Sequence, residues 1–317
     1  MRKNIIEHFY LNKETNNKEI KLKYYEIENY LPPLVMIHAQ GVDATSFNNV
    51  WGKLANFFHV YAGDCYGHGD SLHDETQYNI VDIGKAIICF INDVVKQKVF
   101  LLGHSSGGLI AAYIASNSEL CQYLIIEDAP FFSSQGERRK ETFNYVDLST
   151  ICHEFIQQKE FKDFVLYYFS NQYAWNLFPK DSREKVKDKL VAMAKKYRIK
   201  HPEKNLKVPF WPKAALSGFQ GMNNYDPLFG EAFYTDSFHA GISHEELLKN
   251  IKCKTIFMKA KTNISEDGLL MAALSEEDLE KVAETIDDCK VVRFDCGHGI
   301  HIEKSKEFVN CITELII

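Results

Sequence analysis

Gly103-His104-Ser105-Ser106-Gly107-Gly108 is the segment of this chain whose residue types and spacing could do chemistry. It follows the apolar run Val99-Phe100-Leu101-Leu102 and leads directly into the helix-like Leu109-Ile110-Ala111-Ala112-Tyr113-Ile114-Ala115. A bare G-x-S-x-G arises by chance in roughly one chain in ten of this length at ordinary Gly and Ser frequencies, so the string alone says little. Its context says more. A strand, a turn with glycines flanking the serine and an immediate helix make a nucleophile elbow, in which small neighbours permit the strained turn that holds the hydroxyl exposed. The helix start also points backbone N–H groups at the reacting oxygen.

A serine hydroxyl is a poor nucleophile until a base takes its proton, so a histidine must come from elsewhere in the chain. Of the twelve histidines, His298 is the best placed: Gly297-His298-Gly299-Ile300-His301-Ile302-Glu303 follows the strand-like Val291-Val292-Arg293-Phe294 and precedes a last helix expected over 304–317. A loop at that edge of a sheet can carry an imidazole back over the elbow. His301 reads as a structural partner, and His104 as a residue packed beside the elbow.

Such residues need a sheet to hold them. Between about residues 20 and 130 the chain alternates short β-branched runs with helix-period segments, the pattern of an α/β fold with a mostly parallel sheet flanked by helices. Leu34-Val35-Met36-Ile37, Val60-Tyr61-Ala62 and Tyr123-Leu124-Ile125-Ile126 read as buried strands beside the one before the elbow. Ile80, Ile83, Ile87, Phe90 or Ile91, and Val94 recur at helical spacing, which predicts a crossover helix. The alternation resumes with Thr255-Ile256-Phe257-Met258 and a capping-box start at Ser275-Glu276-Glu277-Asp278, with Val282, Ala283 and Ile286 on one face.

The stretch 131–240 breaks this rhythm: it is charged, aromatic and helix-rich, and Pro209, Pro212 and Gly218 interrupt it late. It holds 22 of the 41 aromatic residues in about a third of the length, as expected of an inserted helical cap that presents an apolar face to a pocket. The predicted organisation is therefore an α/β core over 1–130 and 241–317, with the cap over 131–240.

Composition narrows the class of function. With 45% hydrophobic and 25% charged residues over 317 positions, the chain can bury a substantial core. A net charge of -6 argues against a phosphate-neutralising, nucleic-acid-binding role. Met1-Arg2-Lys3-Asn4 is followed by only a short apolar stretch before Glu7, so no secretory segment is expected, no run approaches membrane-spanning length, and the expected location is cytoplasmic. The eight cysteines form neither C-x-x-C pairs nor clusters at metal spacing, which favours reduced thiols in the core and no structural metal.

Taken together, the elbow, His38-Ala39-Gln40-Gly41 after the run 34–37, Asp64-Cys65-Tyr66-Gly67-His68-Gly69-Asp70-Ser71 after the run 60–62, and the closing Gly297-His298 resemble the α/β-hydrolase family over nearly the whole chain. The resemblance is to its capped members, which include esterases, lactonases, carbon–carbon bond hydrolases and epoxide or haloalkane hydrolases. It implies an oxyanion hole made by the N–H groups of Gln40 and Ser106. A serine at the elbow, in place of the aspartate of epoxide and haloalkane hydrolases, points to acyl chemistry.

The third member of a triad is where the chain departs from the family, which usually places an Asp just after the strand at 255–258. Lys259-Ala260-Lys261-Thr262-Asn263 stands there instead. Two alternatives remain: Asp128, as in some capped hydrolases that include a mycotoxin lactonase group, or Glu266 or Asp267 brought in by a bend of the loop. Asp128 is preferred, because a carboxylate at the C-terminal tip of a strand faces the ligand crevice of an open α/β sheet.

The expected function is a serine hydrolase that cleaves a mainly apolar carboxylic ester or lactone with Ser105, His298 and Asp128 and without a cofactor or metal. A carbon–carbon bond hydrolase would use the same residues, and a non-catalytic ligand-binding member of the fold is the alternative from another class. The expected partner is a small-molecule substrate, with no nucleic acid and no membrane; a homodimer is left open.

Overall fold

Continuous apolar runs become the parallel centre of one sheet, because strands covered on both faces need apolar side chains at every position. The structure is a computed structural model that describes residues 4–13, 18–209, 211 and 216–316. Pro212, one of the expected breaks, and Ile317 lie outside them. The strands are β1 (Ile6–Lys13), β2 (Glu19–Ile27), β3 (Pro33–Ile37), β4 (His59–Gly63), β5 (Val99–His104), β6 (Cys121–Glu127), β7 (Lys254–Lys259) and β8 (Cys289–Arg293), in the order β1-β2-β4-β3-β5-β6-β7-β8. β3 and β5 are buried at every residue. β1 pairs antiparallel with β2, and β2 with β4; all other neighbours are parallel.

The register places the strand tips side by side. Ile37 lies opposite Gly103, His104 opposite Glu127, and Glu127 opposite Met258. The loops that begin at His38, Ser105, Asp128 and Ala260 therefore leave the sheet at one end, where ligands bind in open α/β sheets.

Helix α1 (Ile80–Phe90) starts where Asn79 accepts the N–H groups of Val81 and Asp82, and it buries Ile80, Ile83, Ile87 and Phe90. Helix α2 (Ser106–Asn117) is buried from Ser106 through Ala115 and packs on α1, β5 and β6. The connection from β6 to β7 contains α3 (Thr150–Gln157), α4 (Phe164–Asn171), α5 (Lys180–Lys200), α6 (Pro227–Tyr234) and α7 (His244–Lys249), with shorter helical turns between them. Its aromatics build a local core: the Phe169 ring lies 5.4 Å from Trp175 and 5.1 Å from Trp211. α7 packs back onto α2 and α8 (Glu276–Thr285), and α8 opens with a full capping box between Ser275 and Asp278.

α9 (Ser305–Thr313) closes the chain against the opposite face of the sheet, where Phe308 and Ile312 join Trp51, Leu54 and Phe58. Each such large apolar side chain contributes about 1.5–3 kcal/mol on burial. All eight cysteines are free of disulfides, and five of them are buried. Among the described residues no helix is long and apolar enough to cross a membrane.

Candidate active site

Ser105 sits at φ 54°, ψ -120°, a conformation that costs an L-residue about 1–3 kcal/mol and persists only where the surroundings impose it. Three strand tips impose it here. The Ser105 N–H donates to the Glu127 carbonyl at 2.9 Å, and the Ser105 carbonyl accepts from Gly108 N–H at 2.8 Å. A Cβ on Gly103 would stand 2.2 Å from the Gly107 carbonyl oxygen, and one on Gly107 would stand 2.4 Å from the Ile37 carbonyl oxygen. The glycines thus let α2 begin against β3 and β5.

His298 is carried by the loop between β8 and the helical turn Ile300–Glu303. Its Nδ1 lies 2.8 Å from Oδ2 of Asp128, the residue that follows β6. The carboxylate accepts, so Nδ1 carries the hydrogen and Nε2 is the nitrogen left to take a proton. His298 is partly open to the cavity, with its side chain 44% exposed; desolvation would lower its pKa, but the hydrogen bond and negative charge of Asp128 outweigh it and hold the imidazole above its ordinary 6.5. Of the two alternatives for the carboxylate partner, the structure brings Asp128 to His298. Glu266 and Asp267 are exposed in the turn from Ser265 to Leu269, and Asp267 accepts the Ser265 hydroxyl there.

Asp128 is fully buried and held on its other oxygen. Oδ1 accepts the Ala260 N–H at 3.1 Å and lies 3.7 Å from the ammonium of Lys259, which is itself buried at the end of β7. In the sequence Lys259 marks only the missing acid; in the fold this lysine stands behind an acid supplied by the next strand. The signal available was position, since a lysine at the tip of a buried parallel strand needs a carboxylate nearby.

The loop after β3 is braced by two neutral histidines. His38 accepts the Cys65 N–H on Nε2 at 2.9 Å and donates from Nδ1 to the Ala39 carbonyl at 2.8 Å. His68 accepts the Gly41 N–H on Nε2 at 3.1 Å and donates from Nδ1 to the Tyr66 carbonyl at 2.9 Å. Burial lowers the pKa of both. Gln40 sits between these braces, with its side-chain amide donating to Tyr225 at 2.9 Å. Among the described residues no acceptor takes the backbone N–H of Gln40 or of Ser106.

Gln40, Ser105, Ser106 and His298 line one cavity of about 490 Å³, and Asp128 stands behind His298. The wall opposite the elbow comes from the helical connection and includes Phe143, Leu148, Met222 and Phe233, with the half-buried Tyr168 donating its hydroxyl to the buried Asp147. A second histidine–carboxylate pair lies beside the first. Glu127 accepts His301 Nδ1–H at 2.8 Å and its backbone N–H at 2.9 Å. Burial would raise the pKa of Glu127, but His301 and His104 outweigh it and hold the carboxyl at about 2. His104, Glu127 and His301 are the group among the described residues that places metal-ligating atoms within 4.8 Å of one another. Both oxygens of Glu127 are already committed to His301.

A mostly parallel sheet in this order, with a strained serine after one central strand and a histidine after the last, defines the α/β-hydrolase fold. The model of the alpha/beta hydrolase family matches residues 34–310, and the chain belongs to that family. An uncharacterized protein of Mycobacterium tuberculosis is 32% identical over 84 residues, 26% of this chain and 25% of that protein. A pimeloyl-acyl-carrier-protein methyl ester esterase of Aeromonas salmonicida is 28% identical over 109 residues, 33% of this chain and 41% of that protein. The match thus spans only a quarter to two fifths of these relatives' length. A hydrolase structure from Pseudomonas aeruginosa superposes with a TM-score of 0.66 at 13% identity, covering 98% of both chains, and so shares the fold.

Proposed function

We propose that this protein is a serine hydrolase that cleaves a mainly apolar carboxylic ester or lactone through an acyl-enzyme on Ser105. The observation that carries the proposal is the 2.8 Å pairing of His298 with Asp128 on the rim of the cavity that also holds the strained Ser105. His298 Nε2 takes the hydroxyl proton as Ser105 Oγ attacks the carbonyl carbon, and Asp128 stabilises the imidazolium that forms. The N–H groups of Gln40 and Ser106 receive the oxyanion. The imidazolium then protonates the departing alkoxide, and water, deprotonated by the same nitrogen, clears the acyl group from Ser105. The segment 131–240 acts as a cap whose apolar wall selects the acyl or alkyl part.

The esterase name of one relative and the apolar lining support the choice of an ester or lactone. A fluorophosphonate probe and a panel of esters of graded acyl length test it. The expected result is covalent labelling and turnover in the wild type, both absent from folded Ser105→Ala. Folded wild-type protein that neither labels nor hydrolyses any ester would overturn the proposal.

A further inference from the structure

We infer that Glu127, His301 and His104 are positioning residues that fix the loop carrying His298, so that a second carboxylate–histidine pair sets where the first one stands; this rests on the serine hydrolase function proposed above. Consecutive residues at the tip of β6 supply two carboxylates, and histidines three apart after β8, one in the loop and one in the helical turn that follows, supply two imidazoles. Asp128 holds the first imidazole, as described. Glu127 grips the second at both its side chain and its backbone, at 2.8 and 2.9 Å. The mechanism uses the first pair and leaves the second unemployed.

The second pair is costly, which argues that it has a purpose. Glu127 and His301 are wholly inaccessible to solvent, and a buried ionisable pair is often no more stabilising than apolar residues of the same volume. What the pair supplies is geometry. Its hydrogen bonds to the ring and to the backbone fix the first turn after His298 to the same strand end that carries Asp128, and that strand end also accepts the Ser105 N–H.

His104 completes the connection. It directly precedes Ser105, and burial pushes its pKa down to about 3, so the ring is neutral. A carbonyl can only accept, so Nε2 of His104 carries the hydrogen it gives to the His298 carbonyl at 3.2 Å. Its ring lies 4.7 Å from His298 and 5.0 Å from His301, between the two. The neighbour of the nucleophile thus holds the backbone of the base. A displacement of about 1 Å at a base can cost about 100-fold in rate, so a loop tied at His298 and again at His301 has kinetic value even though neither tie touches substrate.

His104→Phe keeps a ring in place and removes the donor, while His104→Gln restores a donor of similar reach. In the full-length protein, His104→Phe is expected to lower the rate of fluorophosphonate labelling and kcat by about 10- to 100-fold, with KM within about twofold and a displaced acid limb in the pH profile. His104→Gln should recover most of the loss. The low-field proton resonance of His298 Nδ1–H should shift or broaden in the first variant and return in the second. Should His104→Phe fail to fold, His104→Ala serves for the same comparison. Folded variants that lose thermal stability but keep the labelling rate, the acid limb and the resonance would overturn the inference. If Ser105→Ala still turns over ester, the hydrolase proposal falls, and the resonance alone then decides whether His104 positions His298.

Discussion

At the scale of single residues, the site turns on which charges face His298. A general base must be unprotonated to accept the serine proton, so kcat/KM should fall on the acid side with a pKa above 6.5, where Asp128 holds the imidazole. Asp128→Asn removes the hydrogen bond and charge that do most to raise it, and leaves the weaker pull of Glu127 against desolvation and Lys259, which lower it. The acid limb should move to lower pH while kcat falls by about 10³- to 10⁴-fold through loss of tautomer control. Lys259→Met acts with the opposite sign on pH: the ammonium beside Asp128 lowers the pKa of His298, so its removal should move the limb to higher pH. Profiles of kcat/KM on the two variants check both signs, and limbs moving in the same direction would contradict this account. Ser105 and His298 were legible because each lies in a short motif next to a strand, and Asp128 because it ends one. His301 was legible as a structural partner, but its pairing with Glu127 and the place of Lys259 were not. Their partners come from distant parts of the chain, 174 residues away in the case of Glu127 and His301, and no local pattern announces such a pairing.

At the scale of elements, the elbow is a packing problem before it is a catalytic one. Gly107→Ala would drive a methyl group to 2.4 Å from the Ile37 carbonyl, against backbone that cannot swing aside as a side chain could. The expected cost is at least about 3 kcal/mol in urea unfolding, with the labelling of Ser105 lost in whatever fraction stays folded. An unchanged midpoint would show that β3 and α2 are not in register as described. The central strands were readable because burial on both faces leaves an uninterrupted apolar run. β1 and β2 were not read as an antiparallel pair. β1 exposes most of its residues, including Phe9 at 52% and Leu11 at 67%, and β2 alternates lysines and glutamates with its buried positions, so neither has the composition of a covered strand. Phe294 falls just past β8, and the last helix starts at Ser305 with Lys304 as its cap, differences of one residue at element ends.

At the scale of the whole molecule, pH reaches the fold through buried histidines. Burial lowers the pKa of His38, His68, His104, His239 and His244 below 6.5. Each therefore contributes stability that is full above 6.5 and is lost as pH falls below it, by up to about 1.4 kcal/mol per pH unit. Burial raises Asp64 to about 7 and Asp147 to about 6, which acts in the opposite direction. His73 and His298, held above 6.5, act mainly above that pH, so between pH 6.5 and 4.5 the five lowered histidines face the two raised carboxyls, unfolding should take up protons and the Tm should drop; a flat or rising Tm in that window would contradict it. His239 and His244 give the effect a location, since a chain of bonds from Phe132 N–H through His244 and His239 to the Ser134 carbonyl ties the start of the helical connection to its end. The composition of that connection was visible in its aromatics, whereas this chain of imidazoles depends on how its two ends return to one place.

The two adjoining carboxylates at the end of β6 also make the chain intolerant of indels at one point. Deleting a single residue there would bring Asp128 to the station of Glu127 and Ala129 to the station of Asp128, so His301 would meet a shortened acid and His298 a methyl group. A change of length within the long helical excursion that follows would leave this register untouched, whereas the strand that launches it must keep its count of residues, because that count decides which histidine receives which acid.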